Sequence, residues 1–243
     1  MRFAELAKRN FKEMCLDPLS MGLEIGIPAV FLVMFWALGR GAGDENALTP
    51  TMLAPGIAVF GFAFLVMFSA IALARDREGA LLSRLFTSPL RSRDFILSYS
   101  LPYIPIMILQ IAVCFGTGAL LGLEIIGGVG LVFLVLFVMG VCCIELGMVM
   151  GLLFTVNQVS AVGSVIIVLT SILGGIWIDL EIIGGVFQGI GNALPFAHAI
   201  AGARDAMFGA GFGDIAPDFY WVLGYTLVFF ALAIFLFRRR MME

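Results

Sequence analysis

The sequence predicts an all-α integral membrane protein, and three observations lead to that fold class. Hydrophobic residues make up 61% of the 243 residues and charged residues 13%, with a mean hydropathy of +1.08. Soluble domains are about one quarter charged. Six apolar runs approach or exceed the roughly 20 residues that a membrane-spanning helix needs. Basic residues cluster in alternate intervals between these runs. With no internal repeat or soluble stretch, we expect one membrane domain over residues 1–243.

An amphipathic helix is predicted at the N-terminus, within residues 1–18. Its apolar and charged positions fall on opposite faces of a 3.6-residue period: Phe3, Leu6, Ala7, Phe11, Met14 and Cys15 against Glu5, Lys8, Arg9, Lys12 and Glu13. The helix is too short and too charged to cross a bilayer, so we expect it to lie in the membrane interface. Asp17-Pro18 ends it, because the residue before a proline avoids helical geometry.

The six apolar runs predict spans at 21–39, 52–74, 94–122, 129–154, 159–178 and 219–237. Proline at position 28 favours a kink in the first span, and Ser92 suits the start of the third. Pro102 and Pro105 predict a bend near the inner end of that third span. Residues 155–158 form a short polar break between the fourth and fifth spans.

Residues 179–217 are apolar but repeatedly interrupted by glycine, so they do not form a continuous span. The run around Ile182 to Ile190 follows helical spacing but is too short to cross a bilayer. Pro195 suits the first turn of a second short helix at about 195–209. We expect two short helices that enter the outer leaflet and return.

The distribution of basic residues predicts the orientation. With six spans and both termini in the cytoplasm, 12 of the 14 basic residues lie inside, and only Arg40 and Arg204 lie outside. Basic residues concentrate in the cytoplasmic loops of membrane proteins. The sequence therefore predicts a multi-pass protein of the inner (cytoplasmic) membrane.

The 75–93 segment is the longest polar interval and carries five of those basic residues. A short helix there would align four apolar side chains, Leu81, Leu82, Leu85 and Phe86, away from Glu78 and Arg84. The stripe could rest on lipid. Alternatively, it could sit in a groove on a cytoplasmic protein, with leucines buried and arginines fixing the register.

Several kinds of chemistry lack the residues they need. The only lysines are Lys8 and Lys12, and no G-x-x-x-x-G-K-[ST] sequence occurs, so the chain has no ATP-binding loop of that kind. His198 is the single histidine, and we expect neither a metal site nor a catalytic residue. A net charge of -3 does not suggest a nucleic-acid partner.

Three motifs, in this order along the chain, resemble those of permease subunits of ATP-binding-cassette (ABC) exporters of the type-2 membrane family. The first is Arg9-Asn10-Phe11 followed by Asp17-Pro18 and Pro28. The second is Glu78-Gly79-x-Leu81-x-x-Leu85-x-x-Ser88-Pro89-Leu90. The third is Gly174-Gly175, then Leu194-Pro195-Phe196-Ala197-His198, then Ala203-Arg204-Asp205. Trp177-Ile178-Asp179 stands where the family often has Phe-Pro.

The resemblance implies six spans, two copies of a separate ABC ATPase subunit, and a second permease copy or paralogue. ATP and Mg²⁺ would bind in the ATPase, with no cofactor in this chain. The 75–93 segment would be a coupling helix that contacts the ATPase. Its expected contact residues are Glu78, Leu81, Leu82, Arg84, Leu85, Phe86 and Pro89. The outer motif comprises Pro195, His198, Arg204 and Asp205, and the last two could form a local ion pair.

Glu145 is an acid in the middle of the fourth span, where a charged group must face protein or water. It could line a translocation path or lock helices together, and the same roles are expected of Gly174 and Gly175; alternatively, Glu145 could be a neutral, hydrogen-bonded structural acid. Glycines at 140, 147 and 151 indicate close helix packing. The nearly uncharged interior favours an apolar or amphipathic cargo, such as a drug, a lipid or a lipid-linked glycan.

Two other functions remain open from the residues alone. An ATP-independent secondary carrier could use Glu145 as its proton-coupled site, although no inverted repeat is visible. A membrane scaffold without transport activity is the other alternative.

Overall fold

The computed structural model describes residues 2–41, 48–79, 92–177 and 180–240. Helices dominate these residues, and no strand occurs among them. The helices are α1 (Arg2–Cys15), α2 (Pro18–Gly41), α3 (Pro50–Glu78), α4 (Ser92–Ser100), α5 (Tyr103–Leu120), α6 (Val129–Leu153), α7 (Val156–Leu173), α8 (Leu180–Ile183), α9 (Gly185–Ala193), α10 (Pro195–Met207) and α11 (Phe212–Arg240).

In the described part of the chain, six spans are long and apolar enough to cross a membrane, as predicted: α2, α3, α4 with α5, α6, α7 and α11. The third span divides at Leu101-Pro102, where the prolines predicted a bend. Because successive spans alternate in direction, the bundle has two ends. The α1 end holds α1, the end of α3, the start of α4 and the α6–α7 turn. The α10 end holds α8 to α10 and the start of α11.

Helix α3 is the centre of the bundle. Most of its residues from Leu53 to Ala74 are buried, whereas only a minority of the residues of α2, α7 and α11 are buried. Glycines on α6 allow close approach, as the sequence predicted. A Cβ at Gly147 would collide with Ser69 Oγ and lie 2.7 Å from the Val66 carbonyl oxygen, and one at Gly151 would lie 2.8 Å from that of Ala70. Helices α3 and α6 therefore pack backbone against backbone.

The fifth span begins and ends earlier than predicted. The expected break at 155–158 is a capping box: Thr155 Oγ1 accepts from the Gln158 main-chain N–H, and the Gln158 side chain accepts from the Thr155 N–H. This arrangement satisfies the first turn and lets α7 start at Val156. Helix α7 stops at Leu173 because Gly174 follows and Gly175 takes a left-handed conformation (φ +67°).

The last span is longer than the sequence predicted. Helix α11 starts at Phe212 rather than at 219, so residues 212–217 belong to it and not to the outer segment. Pro217 lies in its second turn, where the missing N–H is tolerated better than in a helix interior. Among the residues described between α7 and α11 there are three short helices rather than two, and Pro195 occupies the first turn of α10 as expected.

Candidate functional site

Two consecutive residues at the end of α3 bind the turn between α6 and α7. The Arg77 guanidinium donates to the main-chain carbonyls of Leu152 and Phe154, the second at 2.6 Å. The Glu78 carboxylate accepts the Val156 N–H at 2.9 Å. A cation thus meets the C-terminus of α6 and an anion meets the N-terminus of α7. Each charge has the sign that interacts favourably with the dipole of the helix end it meets, and each side chain satisfies main-chain groups that helix ends leave unpaired.

Helix α1 is attached to the same end by polar contacts to α3 and α4. Arg9 forms a bidentate pair with Glu13 and lies 3.6 Å from Asp76 Oδ2. Asp76 also accepts from Tyr99 Oη at 2.6 Å. Asn10 donates to the Ser98 carbonyl at 3.2 Å. The first residues of the predicted 75–93 segment therefore contact α1, α4, α6 and α7. We call Asp76, Arg77 and Glu78 the α3 anchor.

The other predicted contacts of the coupling segment lie outside the described residues. These are Leu81, Leu82, Arg84, Leu85, Phe86 and Pro89. Their role stays a prediction.

Glu145 is buried inside the bundle, with 3% of its surface exposed. It lies beside Ser100, at the end of α4, and its Oε2 has no hydrogen-bond partner in the part of the chain that is described. The side chain faces protein rather than lipid, as expected for an acid in a span. Whether it belongs to a translocation path stays a prediction.

At the α10 end, Arg204 joins three parts of the chain. Its guanidinium donates to the carbonyls of Met52, Gly175 and Ile176 at 3.0, 3.1 and 3.1 Å. Gly174 lies against α10, because a Cβ there would approach Ile200 Cδ1 to 3.3 Å. The predicted Gly174-Gly175 pair and the Arg204 motif are therefore neighbours, and their visible role is helix packing.

His198 belongs to the same cluster at the α10 end. One ring nitrogen, Nδ1, lies 2.5 Å from Asp218 Oδ1 at the start of α11, and Nε2 lies 2.8 Å from the Asn192 carbonyl oxygen. Tyr225 Oη donates to the Ala193 carbonyl at 2.7 Å. These contacts hold the end of α9 against α10 and α11. Asp205 is exposed, with Asp214 and Asp218 as its charged neighbours.

A cavity at the α1 end was not predicted from the sequence. A cavity of about 260 Å³ lies between α1, α2, α3 and the α4–α5 junction, and we call it the α1-end cavity. Glu24 of α2 lines it with only 2% of its surface exposed. The available signal was an acid seven residues into an apolar helix, since acids in spans are rare and often functional.

The similarity of this chain to known proteins agrees with this architecture. The family model described as ABC-2 type transporter matches residues 1–208, which run from α1 through α10. The daunorubicin resistance ABC transporter permease protein DrrB1 of Streptomyces coeruleorubidus is 26% identical over 243 residues, covering 98% of this chain and 84% of the relative. Because the family model covers most of the chain, the chain belongs to the ABC-2 type transporter family, as a membrane permease subunit.

Proposed function

We propose that this permease forms the substrate path of an ATP-driven exporter and that a separate ATPase subunit binds its 75–93 segment. The chain would lie in the inner (cytoplasmic) membrane, with the α1 end and both termini in the cytoplasm. The distribution of basic residues supports this orientation.

The α3 anchor is the observation that carries the proposal. Arg77 and Glu78 belong to the first residues of the 75–93 segment, and their side chains bind the end of α6 and the start of α7. Movement of the segment would therefore act on three spans at once. A partner can shift the conformational equilibrium only through contacts that differ between states. In the proposed mechanism, the bonds from the α3 anchor to α6 and α7 differ between the two conformational states of the permease.

The proposed complex contains more than this chain. Membership of the ABC-2 permease family implies that an ABC ATPase subunit is a partner of this chain. We propose two ATPase copies, which bind ATP and Mg²⁺, and a second permease copy or a paralogue. Exposed apolar side chains on α2, α7 and α11, among them Val30, Val165 and Phe235, would be covered by lipid or by the second permease. Helix α1 would lie in the cytoplasmic interface, and α8 to α10 would enter the outer leaflet.

An apolar or amphipathic organic molecule is the cargo that we favour. The interior is almost uncharged, and DrrB1 is named for resistance to daunorubicin, so a drug comes before a lipid or a lipid-linked glycan. Membership of an ABC family weakens the alternatives of an ATP-independent carrier and of a scaffold.

Leu85→Asp tests the ATPase contact. Placing a charge in the predicted apolar stripe should abolish co-purification with the ATPase subunit while membrane insertion is unchanged; deletion of 78–89 should do the same. Leu120→Asp is the matched control, because Leu120 is 89% exposed at the α10 end. Recovery of the ATPase at the wild-type level with Leu85→Asp would contradict the proposal and favour a segment that rests on lipid.

A further inference from the structure

The α1-end cavity has an excess of negative charge. Four carboxylates line it, those of Glu13, Asp17, Glu24 and Asp76, and Arg75 is the cation that lines it. Three of the four carboxylates have partners among the described residues. Glu13 pairs with Arg9, Asp17 accepts from the Ser20 hydroxyl at 2.7 Å, and Asp76 accepts from Tyr99. Glu24 is the exception.

Glu24 is buried without compensation. Only 2% of its surface is exposed, and its Oε1 has no hydrogen-bond partner among the residues that the structure describes. The phenols that line the same cavity donate elsewhere, since Tyr99 donates to Asp76 and Tyr103 to the Phe68 carbonyl. Burying a carboxylate is costly unless a hydrogen bond or a positive charge compensates it. A positively charged ligand in the cavity would supply that charge.

The other walls of the cavity suit the apolar body of such a ligand. Aromatic and thioether side chains, Phe68, Tyr99, Tyr103, Met14 and Met21, line it together with Glu24. Aromatic rings attract organic cations, and methionine adapts to ligands of different shapes. A volume of about 260 Å³ is close to the lower limit for small-molecule sites, roughly 300 Å³. The space fits a small cation or the charged end of a longer one.

We propose that the α1-end cavity binds an organic cation with an apolar body and that Glu24 pairs with its charge. The identification of this ligand as exported cargo rests on the proposed function. Glu24 lies seven positions into α2, about 10 Å along the helix at 1.5 Å per residue, so the site would open near the membrane surface. A cationic amphiphile could then reach it from the cytoplasm or from the inner leaflet.

Binding of benzyltrimethylammonium to the full chain tests the site without any ATPase. The chain is placed in phosphatidylcholine nanodiscs, whose lipid has no net charge. The uncharged neopentylbenzene has nearly the same shape, and phenylmethanesulfonate carries the opposite charge. We expect saturable binding of the cation and weaker binding of both comparison compounds. Equal affinity for the cation and neopentylbenzene would overturn the proposal, because burial alone would then account for binding.

Glu24→Gln should weaken cation binding about tenfold or more, since it removes one partner of a buried charge pair and keeps the shape. Glu124→Gln, the same change at an exposed position of the α10 end, should leave the affinity unchanged. An unchanged affinity with folded Glu24→Gln, or a loss with Glu145→Gln instead, would overturn the assignment. Ala72→Phe fills the cavity from α3 without changing its charge, and it should abolish binding even if Glu24→Gln fails to fold.

The two proposals fail in different ways. Loss of ATPase association with cation binding intact would remove the exporter mechanism and keep the site. Normal ATPase association without saturable cation binding would remove the site and keep the exporter.

Discussion

The two ends of the bundle use their polar side chains differently. At the α10 end, Arg204, His198 and Tyr225 all bind main-chain carbonyls, which fixes the paths of α7, α9 and α10. At the α1 end, side chains bind other side chains and the ends of two helices, and Glu24 faces a cavity. The difference indicates that main-chain contacts fix the α10 end, whereas the α1 end is where we propose that a ligand and a partner protein bind.

The largest expected effect tests the fixed end. Arg204→Ala removes three hydrogen bonds from a charged donor, so we expect a loss of about 3 kcal/mol in the free energy of unfolding. Thermal unfolding in detergent should show a fall in Tm of about 10 °C. Arg40→Ala is the control, because Arg40 is exposed at the same end with its guanidinium 5.1 Å from the Trp36 ring centroid. Equal Tm values for the two variants would remove the basis of the comparison.

An intermediate effect on stability is expected at the α1 end, together with a larger effect on function. Arg77→Ala leaves the Leu152 and Phe154 carbonyls without their cation and should cost about 1–2 kcal/mol. Substrate-stimulated ATP hydrolysis by the assembled complex should fall much further than this loss explains. Arg238→Ala, at an exposed position near the end of α11 and at the same end of the bundle but outside the 75–93 segment, should change neither quantity. Normal stimulation with Arg77→Ala would show that the α3 anchor is purely structural.

The smallest expected effect concerns Asp205. Loss of solvation on the side of the Asp205 carboxyl that faces the protein raises its pKa, and the negative charges of Asp218 and Asp214 raise it further. The ionised form of Asp205 therefore opposes folding. Asp205→Asn should therefore stabilise the protein at pH 7, by less than about 1 kcal/mol. The gain should disappear as the pH falls and the wild-type carboxyl takes up its proton. A lower Tm for the variant at pH 7 would instead support the ion pair with Arg204 that the sequence suggested.

Prediction from the sequence succeeded where a feature depends on the local pattern. Apolar run length located the six spans, Pro102 lies where the helix of the third span is interrupted, and the α6 glycines indicated the contact with α3. The end of α7 was missed because Gly174 and Gly175 lie within an apolar run, and run length alone does not show that Gly175 turns left-handed.

The candidate site was harder to predict because its contacts are distant in sequence. Arg77 reads as one more basic residue of a charged interval, and its acceptors at 152 and 154 are identified only when α3 and α6 are packed together. The same holds for Glu24, whose significance depends on a cavity that residues of five separate helices line.

The two-residue connection between α6 and α7 also has a consequence for biogenesis. Phe154 and Thr155 are too few to let one helix enter the bilayer while the other waits outside, so the pair should insert as a helical hairpin. Its capping box forms from residues within the hairpin itself. Arg77 is synthesised earlier and has no carbonyls of α6 to bind until that hairpin arrives. Late docking of the hairpin onto α3 would then complete the α1 end during assembly.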